Sequence, residues 1–141
     1  MAGRKQKAQQ SNIRYVVAML GVLVLALGLV STRRANAHHP EPRVGLTPRH
    51  VAAHERYAED PHVAEVYEMA AAIPEVLDGL YCHCDCSRHS GHRSLLTCFQ
   101  DDHGAACDVC LAEAALAYRM TREGSALREI RREIDALYAR R

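Results

Sequence analysis

The sequence predicts an all-α protein: a small helical domain with an irregular Cys/His-rich segment between helices, preceded by one N-terminal transmembrane helix. Apolar residues recur at helical spacing in the second half of the chain, and no stretch shows the sustained alternation typical of β-strands. An uncharged apolar run lies near the N-terminus. The 141 residues allow one domain plus an N-terminal appendage. We expect a basic cytoplasmic tail, a membrane segment, a linker and a helical domain, at residues 1–14, 15–30, 31–47 and 48–141.

The apolar run at residues 15–30 predicts the membrane segment. Its sixteen residues carry no charge, and this length approaches the roughly 17–25 residues that a membrane-spanning helix requires. Four basic residues precede the run and two follow it closely, so the N-terminus is expected to remain in the cytoplasm. The sequence therefore predicts a signal anchor in the cytoplasmic membrane. The single-pass protein would place its C-terminal domain in the periplasm or at the cell exterior.

A cleaved signal peptide is the alternative for the same run. Ala35-Asn36-Ala37 has the pattern of a cleavage site, and cleavage after Ala37 would release a secreted or periplasmic protein. Arg33 and Arg34 crowd that site, and the run is long for the apolar core of a signal peptide. We therefore favour the uncleaved anchor. Both alternatives place the domain in an oxidising compartment.

The charge of the domain argues against a nucleic-acid partner. Residues 38–141 contain twelve arginines and no lysine against seventeen acidic residues, a formal charge of −5. Nucleic-acid binding requires a basic surface, whereas an acidic domain suits cations. The aromatic content is also low, with one Phe and no Trp. A core of this kind in a small domain often needs a metal or disulfides to stabilise it.

Two pairs of capping residue and proline predict helix starts. Thr47-Pro48 predicts a helix over about 48–59, and Asp60-Pro61 predicts the next over about 61–73. In the second helix the apolar residues fall on one stripe, which is expected to face the core.

Three further helical segments are predicted. Pro74 to Leu80 can form one more turn, which Gly79 can close. Asp108 to Met120 has strong helix formers and an apolar face. After Gly124, Ser125 can cap a last helix whose apolar residues recur at helical spacing opposite a face rich in Arg and Glu.

All six cysteines and four of the nine histidines fall in the segment from Tyr81 to Cys110. Three cysteines form a C-x-C-x-C arm at 82–86. In an extended backbone their thiols would share one face, about 7 Å apart, and a turn would bring them closer. Adjacent disulfides at this spacing are strained, so metal coordination suits the arm better.

The second arm is Cys107-x-x-Cys110 at a predicted helix start. The spacing is typical of zinc hairpins, and the helix dipole is expected to lower the pKa of both thiols. Leu111 stands where a haem attachment motif requires His, which excludes that motif. Cys98 lies in a short helix-like piece, residues 94–100, between the arms.

Two histidines complete the predicted ligand set. His103 lies just before Gly104 and the second arm, and His92 lies between the arms. His83 would face away from the cysteines in an extended strand, and His89 is interpreted as loop surface. The predicted metal ligands are Cys82, Cys84, Cys86, Cys98, Cys107, Cys110, His92 and His103.

Histidines outside the segment are interpreted without a metal. His38 and His39 belong to the predicted linker. His50 and His54 share a helix face four residues apart, but no third donor lies obviously beside them.

Three interpretations of the segment remain open. A soft-metal site is favoured, because C-x-C and C-x-x-C spacings chelate well: Cu(I) fits the thiolate excess, and Zn(II) fits the C-x2-C and histidine spacing. The second interpretation is a thiol–disulfide redox protein or sensor with Cys107 and Cys110 as the active pair. The third is a framework of structural disulfides. No nucleophile–base–acid set predicts a hydrolase, and enzymatic activity is left undecided.

The expected partners follow from this interpretation. They are the metal ion, the membrane through residues 15–30, and an unidentified protein that exchanges metal or electrons with the domain. No nucleic-acid partner is expected.

The pattern of the segment resembles a family of small bacterial proteins named for a PCYCGC motif, and the CYCXC family, some of whose members are selenoproteins. The resemblance covers about residues 61–140 and implies an exported or membrane-anchored protein, but no particular activity. Selenocysteine in relatives would favour redox chemistry or very soft metals. The matching residues are Cys82, Cys84, Cys86, Gly91-His92, Ser94-Leu95, Cys98-Phe99, His103-Gly104, Cys107, Cys110 and Leu111.

The chain departs from the PCYCGC motif at three positions. Tyr81 replaces the proline, His83 replaces the tyrosine, and Asp85 replaces the glycine. The imidazole of His83 could add a ligand or tune a thiol. The backbone freedom that glycine would supply is in question at Asp85.

Overall fold

The computed structural model describes residues 38–139 and Met19. These residues form helices and turns with no strand among them, which confirms the predicted all-α class. The tail at 1–14 and the rest of the apolar run at 15–30 lie outside the described residues. No helix among those described is both long enough and apolar enough to cross a membrane. In chain order the elements are η1 Pro48–His50, η2 His54–Tyr57, α1 Pro61–Ala72, α2 Pro74–Asp78, α3 Cys86–His89, α4 Leu95–Cys98, η3 Gly104–Ala106, α5 Asp108–Arg122 and α6 Leu127–Tyr138.

The predicted helix at 48–59 is wrong, because this region forms the two 3-10 turns η1 and η2. Between them the backbone of Val51 is extended, with φ −111° and ψ 140°. The next amide, of Ala52, donates to the carbonyl of Phe99 at 2.8 Å. Because that amide is used in a tertiary hydrogen bond and Val51 is buried, the chain leaves the helical path.

Helix α1 forms as predicted. The Asp60 carboxylate caps it by accepting from the Val63 amide at 3.2 Å. Ile73 ends it in a non-helical conformation, and Pro74 begins α2, which Gly79 closes. The residues predicted to face the core are all buried: Val63, Val66, Tyr67 and Ala70.

The N-cap of the last helix lies one position later than predicted. Ala126, not Ser125, is the N-cap residue of α6, and its amide donates to the Glu129 carboxylate at 3.0 Å. Gly124 separates α5 from α6 with φ +84°, in the left-handed region that favours glycine. Ile130 and Ile134 form the buried face of α6.

Tyr67 of α1 anchors the loop before η3. Its ring lies 4.9 Å from the ring of Phe99. Its hydroxyl donates to the carbonyl of Asp101 at 2.7 Å and accepts from the amide of Ala105 at 3.0 Å. Gly104 packs so closely here that an added Cβ would lie 2.8 Å from the Cys98 carbonyl. The loop that carries His103 is therefore fixed by the core.

Asp78 fixes the other side of the domain. Its fully buried carboxylate accepts from the amide and guanidinium of Arg43 at 2.8 and 2.9 Å. It also accepts from Arg93 at 2.8 Å and from the Ser94 hydroxyl at 3.0 Å. Burial by itself raises the pKa of Asp78, but the hydrogen bonds from Arg43, Ser94 and Arg93 outweigh it and lower the pKa to about 2.

We predict that Asp78→Asn lowers the free energy of unfolding by about 2 kcal/mol at pH 7, because charge-assisted hydrogen bonds are lost. The folded-state pKa lies below the ordinary 3.8, so this stabilisation is present above that pH. It is lost as the pH falls from about 3.8 towards 2, where Asp78 becomes protonated. Urea unfolding at several pH values measures the difference.

Asp102→Asn is the matched control for this prediction. Asp102 is exposed and pairs with Arg56 at 3.3 Å, so its loss should change stability by less than about 1 kcal/mol. Equal effects of the two substitutions would contradict the role assigned to Asp78.

Candidate metal centre

The C-x-C-x-C arm forms a turn and not an extended strand, so of the two conformations considered for it the closer spacing of thiols applies. The chain reverses at residues 83–84, and Cys86 begins α3. The sulfurs of Cys82 and Cys84 consequently lie 3.3 Å apart, not the roughly 7 Å of an extended strand. The turn therefore brings the thiols of Cys82 and Cys84 into contact, whereas an extended strand would separate them along one face.

Asp85 makes the reversal possible by adopting a left-handed conformation. Its φ is +60° and its ψ is +20°. Among residues other than glycine, Asp is one of the few that visit this region readily. The Asp85 carboxylate also accepts a hydrogen bond from the Tyr81 hydroxyl at 2.7 Å. Asp85, which stands at the glycine position of the motif, thus adopts the left-handed backbone conformation that glycine would supply.

The C-x-x-C arm meets this turn at the start of α5. Cys107 is the N-cap residue of the helix, and Cys110 lies in its first turn. The Cys110 sulfur is 3.4 Å from that of Cys82 and 3.7 Å from that of Cys84. Cys84, Cys107 and Cys110 place their sulfurs within 4.8 Å of one another. The two arms are therefore in direct contact.

Cys98 joins the cluster from the end of α4. Its sulfur lies 3.3 Å from that of Cys86 and 3.2 Å from Nδ1 of His92. The rings of His92 and His103 have centroids 4.4 Å apart. Cys86, His92, Cys98 and His103 place one donor atom each within 4.8 Å of one another.

The structure thus brings together the side chains of all eight predicted ligands, which we call the Cys/His cluster. All six cysteines are free thiols. Metal binding by the cluster stays a prediction. His89 is exposed, as interpreted from the sequence, while His50 and His54 lie in η1 and η2 and contact Thr47 and Glu55.

Burial within the cluster is uneven. Cys82, Cys86, Cys98 and Cys110 are buried, whereas the other four members are half-buried. The half-buried members, which are the more accessible ones, are Cys84, Cys107, His92 and His103.

A buried carboxylate, that of Glu113, binds the turn on the side opposite the thiols. It is fully buried on α5 and accepts from the backbone amide of His83 at 3.1 Å and from its ring Nδ1 at 2.6 Å. Nε2 of His83 lies 3.1 Å from the Asp135 carboxylate on α6. His83 therefore faces away from the thiols, as expected, and connects the turn to α5 and α6.

His39 extends the same network. Its Nδ1 accepts from the Tyr81 amide at 3.0 Å, and its Nε2 lies 3.0 Å from Asp135. A proline at position 81 could not make the first contact, since it has no N–H. Sequence reasoning placed His39 in a solvated linker and missed Glu113. A lone acidic residue within the apolar run 111–118 was the available signal for Glu113.

The pKa values of His83 and His39 shift in opposite directions. Burial by itself lowers the pKa of His83, but the hydrogen bond and charge of Glu113, with Asp135, raise it above its usual value. Burial also lowers the pKa of His39, and there the opposing effect of Asp135 is not large enough to reverse it. A charged His83 and a neutral His39 match the hydrogen bonds, because His83 faces a carboxylate at both nitrogens while His39 accepts at Nδ1.

The pKa values of three buried thiols, Cys82, Cys98 and Cys110, are raised. The hydrogen bond to Cys110 and burial raise the pKa of Cys82. For Cys110, the hydrogen bond with Cys82 lowers the pKa. The contact with Cys98 and burial raise it by more, so the pKa of Cys110 is raised overall. The expected lowering of the Cys110 pKa by the helix dipole is therefore wrong, since thiol contacts and burial outweigh it.

A family model described as "Protein of unknown function with PCYCGC motif" matches residues 51–140 of the chain. The match includes the whole Cys/His cluster and the helices α5 and α6 that support it. No curated protein and no solved structure matches the chain.

We predict that Asp85 can be replaced by glycine but not by a β-branched residue. Asp85→Gly removes the Tyr81 contact and relieves the left-handed strain, so stability should change by less than about 1 kcal/mol. Asp85→Val should lower the free energy of unfolding by about 2 kcal/mol, since a β-branched residue is strained at φ +60°. Urea unfolding measures both.

Asp85→Asn serves as the control, because Asn shares the tolerance of Asp for the left-handed region. It should unfold at nearly the same urea concentration as the unmodified protein. If Asp85→Val were as stable as Asp85→Gly, the conformation assigned to residue 85 would be wrong.

Proposed function

The chain belongs to the PCYCGC-motif family, and we propose that it binds a soft metal ion, Cu(I) or Zn(II), through the Cys/His cluster. The observation that carries this proposal is the spacing of the free thiols. Neighbouring sulfurs lie 3.3, 3.3, 3.4 and 3.7 Å apart. A tetrahedral site with Zn–S bonds of about 2.3 Å separates its sulfurs by about 3.8 Å, whereas a disulfide requires about 2.05 Å. The spacing is thus close to that of a chelate.

Thiol chemistry supports a metal as the occupant. Clustered thiols gain little from packing alone, and oxidation of any contacting pair would require the two sulfurs to approach by more than 1 Å. A metal ion would displace the thiol protons and hold the resulting thiolates together. Because it competes with protons for the buried thiols, its affinity should fall as the pH is lowered.

The donor set supports both candidate metals. Cu(I) prefers soft thiolates, and Zn(II) binds thiolate and imidazole in four-coordinate sites. Asp85, Asp101 and Asp102 lie nearby in sequence, but hard carboxylates suit neither ion as well as the thiols do. Bound metal would also stabilise the domain, since it binds only the folded arrangement that brings these separate short elements together.

We propose, from the sequence alone, that the domain lies outside the cytoplasm. The apolar run at residues 15–30 and the basic residues before it favour a single-pass anchor, with secretion after cleavage at Ala37 as the alternative. An anchored metal-binding domain requires a source and an acceptor of the metal. The proposed protein partner is therefore one that delivers metal to the half-buried side of the cluster or removes it there.

We predict that the full chain, purified without oxygen in mild detergent, retains Cu or Zn. Elemental analysis and a count of alkylatable thiols on the same sample measure this. In the double variant Cys84→Ser, His103→Ala, metal content should fall well below that of the unmodified chain and the remaining thiols should react faster. Both substituted residues are half-buried, so the fold should survive their loss.

His54→Ala is the control, because His54 lies in η2 and contacts Glu55, outside the cluster. It should leave metal content and thiol reactivity unchanged. A full chain that binds neither Cu(I) nor Zn(II) when reduced would overturn the proposal.

A second candidate function is thiol–disulfide exchange with Cys107 and Cys110 as the active pair. The observation in its favour is that the Cys110 sulfur lies 3.4 Å from Cys82 and 3.7 Å from Cys84, which could resolve a disulfide. The raised pKa of Cys110 weakens its nucleophilicity at neutral pH. A metal-free chain with a reversibly reducible Cys107–Cys110 bond would favour this function over the first.

A further inference from the structure

We propose that the Cys/His cluster is two separate four-coordinate metal sites of different chemistry; this rests on the proposed function. The thiolate site would use four sulfurs, and the mixed site two sulfurs and two imidazoles. The thiolate site consists of Cys82, Cys84, Cys107 and Cys110. The mixed site consists of Cys86, His92, Cys98 and His103.

The mixed site is the better defined of the two. Its four donor atoms all lie within 4.8 Å of one another. Cys98 contacts both Cys86, at 3.3 Å, and His92, at 3.2 Å. Two thiolates would balance the charge of one Zn(II) ion, leaving a neutral site beside the core. The Cys2His2 set is a common zinc ligand set, so this site should prefer zinc.

The thiolate site joins the C-x-C-x-C turn to α5. Cys82 contacts Cys84 at 3.3 Å and Cys110 at 3.4 Å, and Cys107 lies within 4.8 Å of both Cys84 and Cys110. Four thiolates exceed the charge of one divalent ion. The N-terminal end of the 15-residue helix α5, where Cys107 and Cys110 lie, favours that negative charge. This site suits either zinc or the softer Cu(I).

The shortest contacts separate the two sites. Cys82 makes its contacts at 3.3 and 3.4 Å within the thiolate site, and Cys98 makes its contacts at 3.2 and 3.3 Å within the mixed site. Between the sites, the sulfur of Cys98 lies within 4.8 Å of those of Cys82 and Cys110, and the sulfur of Cys86 lies within 4.8 Å of those of Cys82 and Cys84. Eight donors divided in this way fill two four-coordinate shells without a shared sulfur.

The elements that carry the ligands also divide. The ligands of the thiolate site come from the turn that hydrogen-bonds to Glu113 and from the start of α5. The mixed site draws on α3, α4 and the loop that Tyr67 fixes through Asp101 and Ala105. Cys86 links the two groups of elements. It directly follows the left-handed Asp85 at the start of α3, its sulfur contacts that of Cys98 at 3.3 Å, and it also lies within 4.8 Å of the sulfurs of Cys82 and Cys84.

Zinc titration of the reduced, metal-free full chain tests the division. We expect two equivalents of Zn(II) per chain, with an average of three sulfur and one nitrogen ligand per zinc by X-ray absorption. His92→Ala with His103→Ala should leave one equivalent with four sulfurs. Cys84→Ser with Cys107→Ser should leave one equivalent with two sulfurs and two nitrogens. His89→Ala is the control, since His89 is exposed beside the site, with its ring 6.2 Å from that of His103.

The double variant His92→Cys, His103→Cys controls for variants that lose zinc because they do not fold. It should keep two equivalents and raise the average to four sulfurs per zinc. One equivalent in the unmodified chain, or the short metal–metal distance of a sulfur-bridged pair, would overturn the two-site division but leave metal binding intact. Failure to bind zinc or Cu(I) at all would instead overturn the proposed function.

Discussion

The contact between the C-x-C-x-C turn and the first turn of α5 is the interaction on which the candidate site depends. It places the sulfur of Cys82 against that of Cys110 although 28 residues separate them. Glu113 supports this contact by accepting from both the backbone and the ring of His83. A buried carboxylate is costly unless its hydrogen bonds are satisfied. Glu113 is therefore satisfied only when the turn is docked, which links the geometry of the thiols to the packing of α5.

The other ligands depend on two anchors that do not involve sulfur. Asp78 binds Arg93 and Ser94, just before α4, and so positions Cys98. Tyr67 holds the loop of His103 through the backbone of Asp101 and Ala105. Because both anchors lie in the hydrogen-bonded core, the ligand positions are largely set without an ion. A metal entering such a site would need little rearrangement, which favours binding.

The departures from the PCYCGC motif form one connected group. Tyr81 donates through its amide to His39 and through its hydroxyl to Asp85, and its ring lies 5.2 Å from that of His83. His83 in turn contacts Glu113 and Asp135. The three substitutions thus compensate for one another on the side of the turn opposite the thiols. They preserve the reversal of the chain while connecting it to α6.

Local patterns in the sequence were enough to predict the helical class, the start of α1 at Asp60 and Pro61, the end of α5 near Gly124, and the two cysteine arms. These features depend on interactions between residues three or four positions apart, which spacing and capping preferences express directly. The sequence could not exclude a continuous helix at 48–59, because the hydrogen bond from Ala52 to Phe99 joins distant residues.

The tertiary structure decided how the arms meet. The reversal of the chain before Asp85, the burial of Glu113 and the contact between Cys86 and Cys98 arise from tertiary packing, which no local pattern in residues 81–110 encodes. A left-handed aspartate and a buried glutamate are both unfavourable in isolation. Their neighbours make them stable here, so only the folded chain shows which thiols and imidazoles stand together.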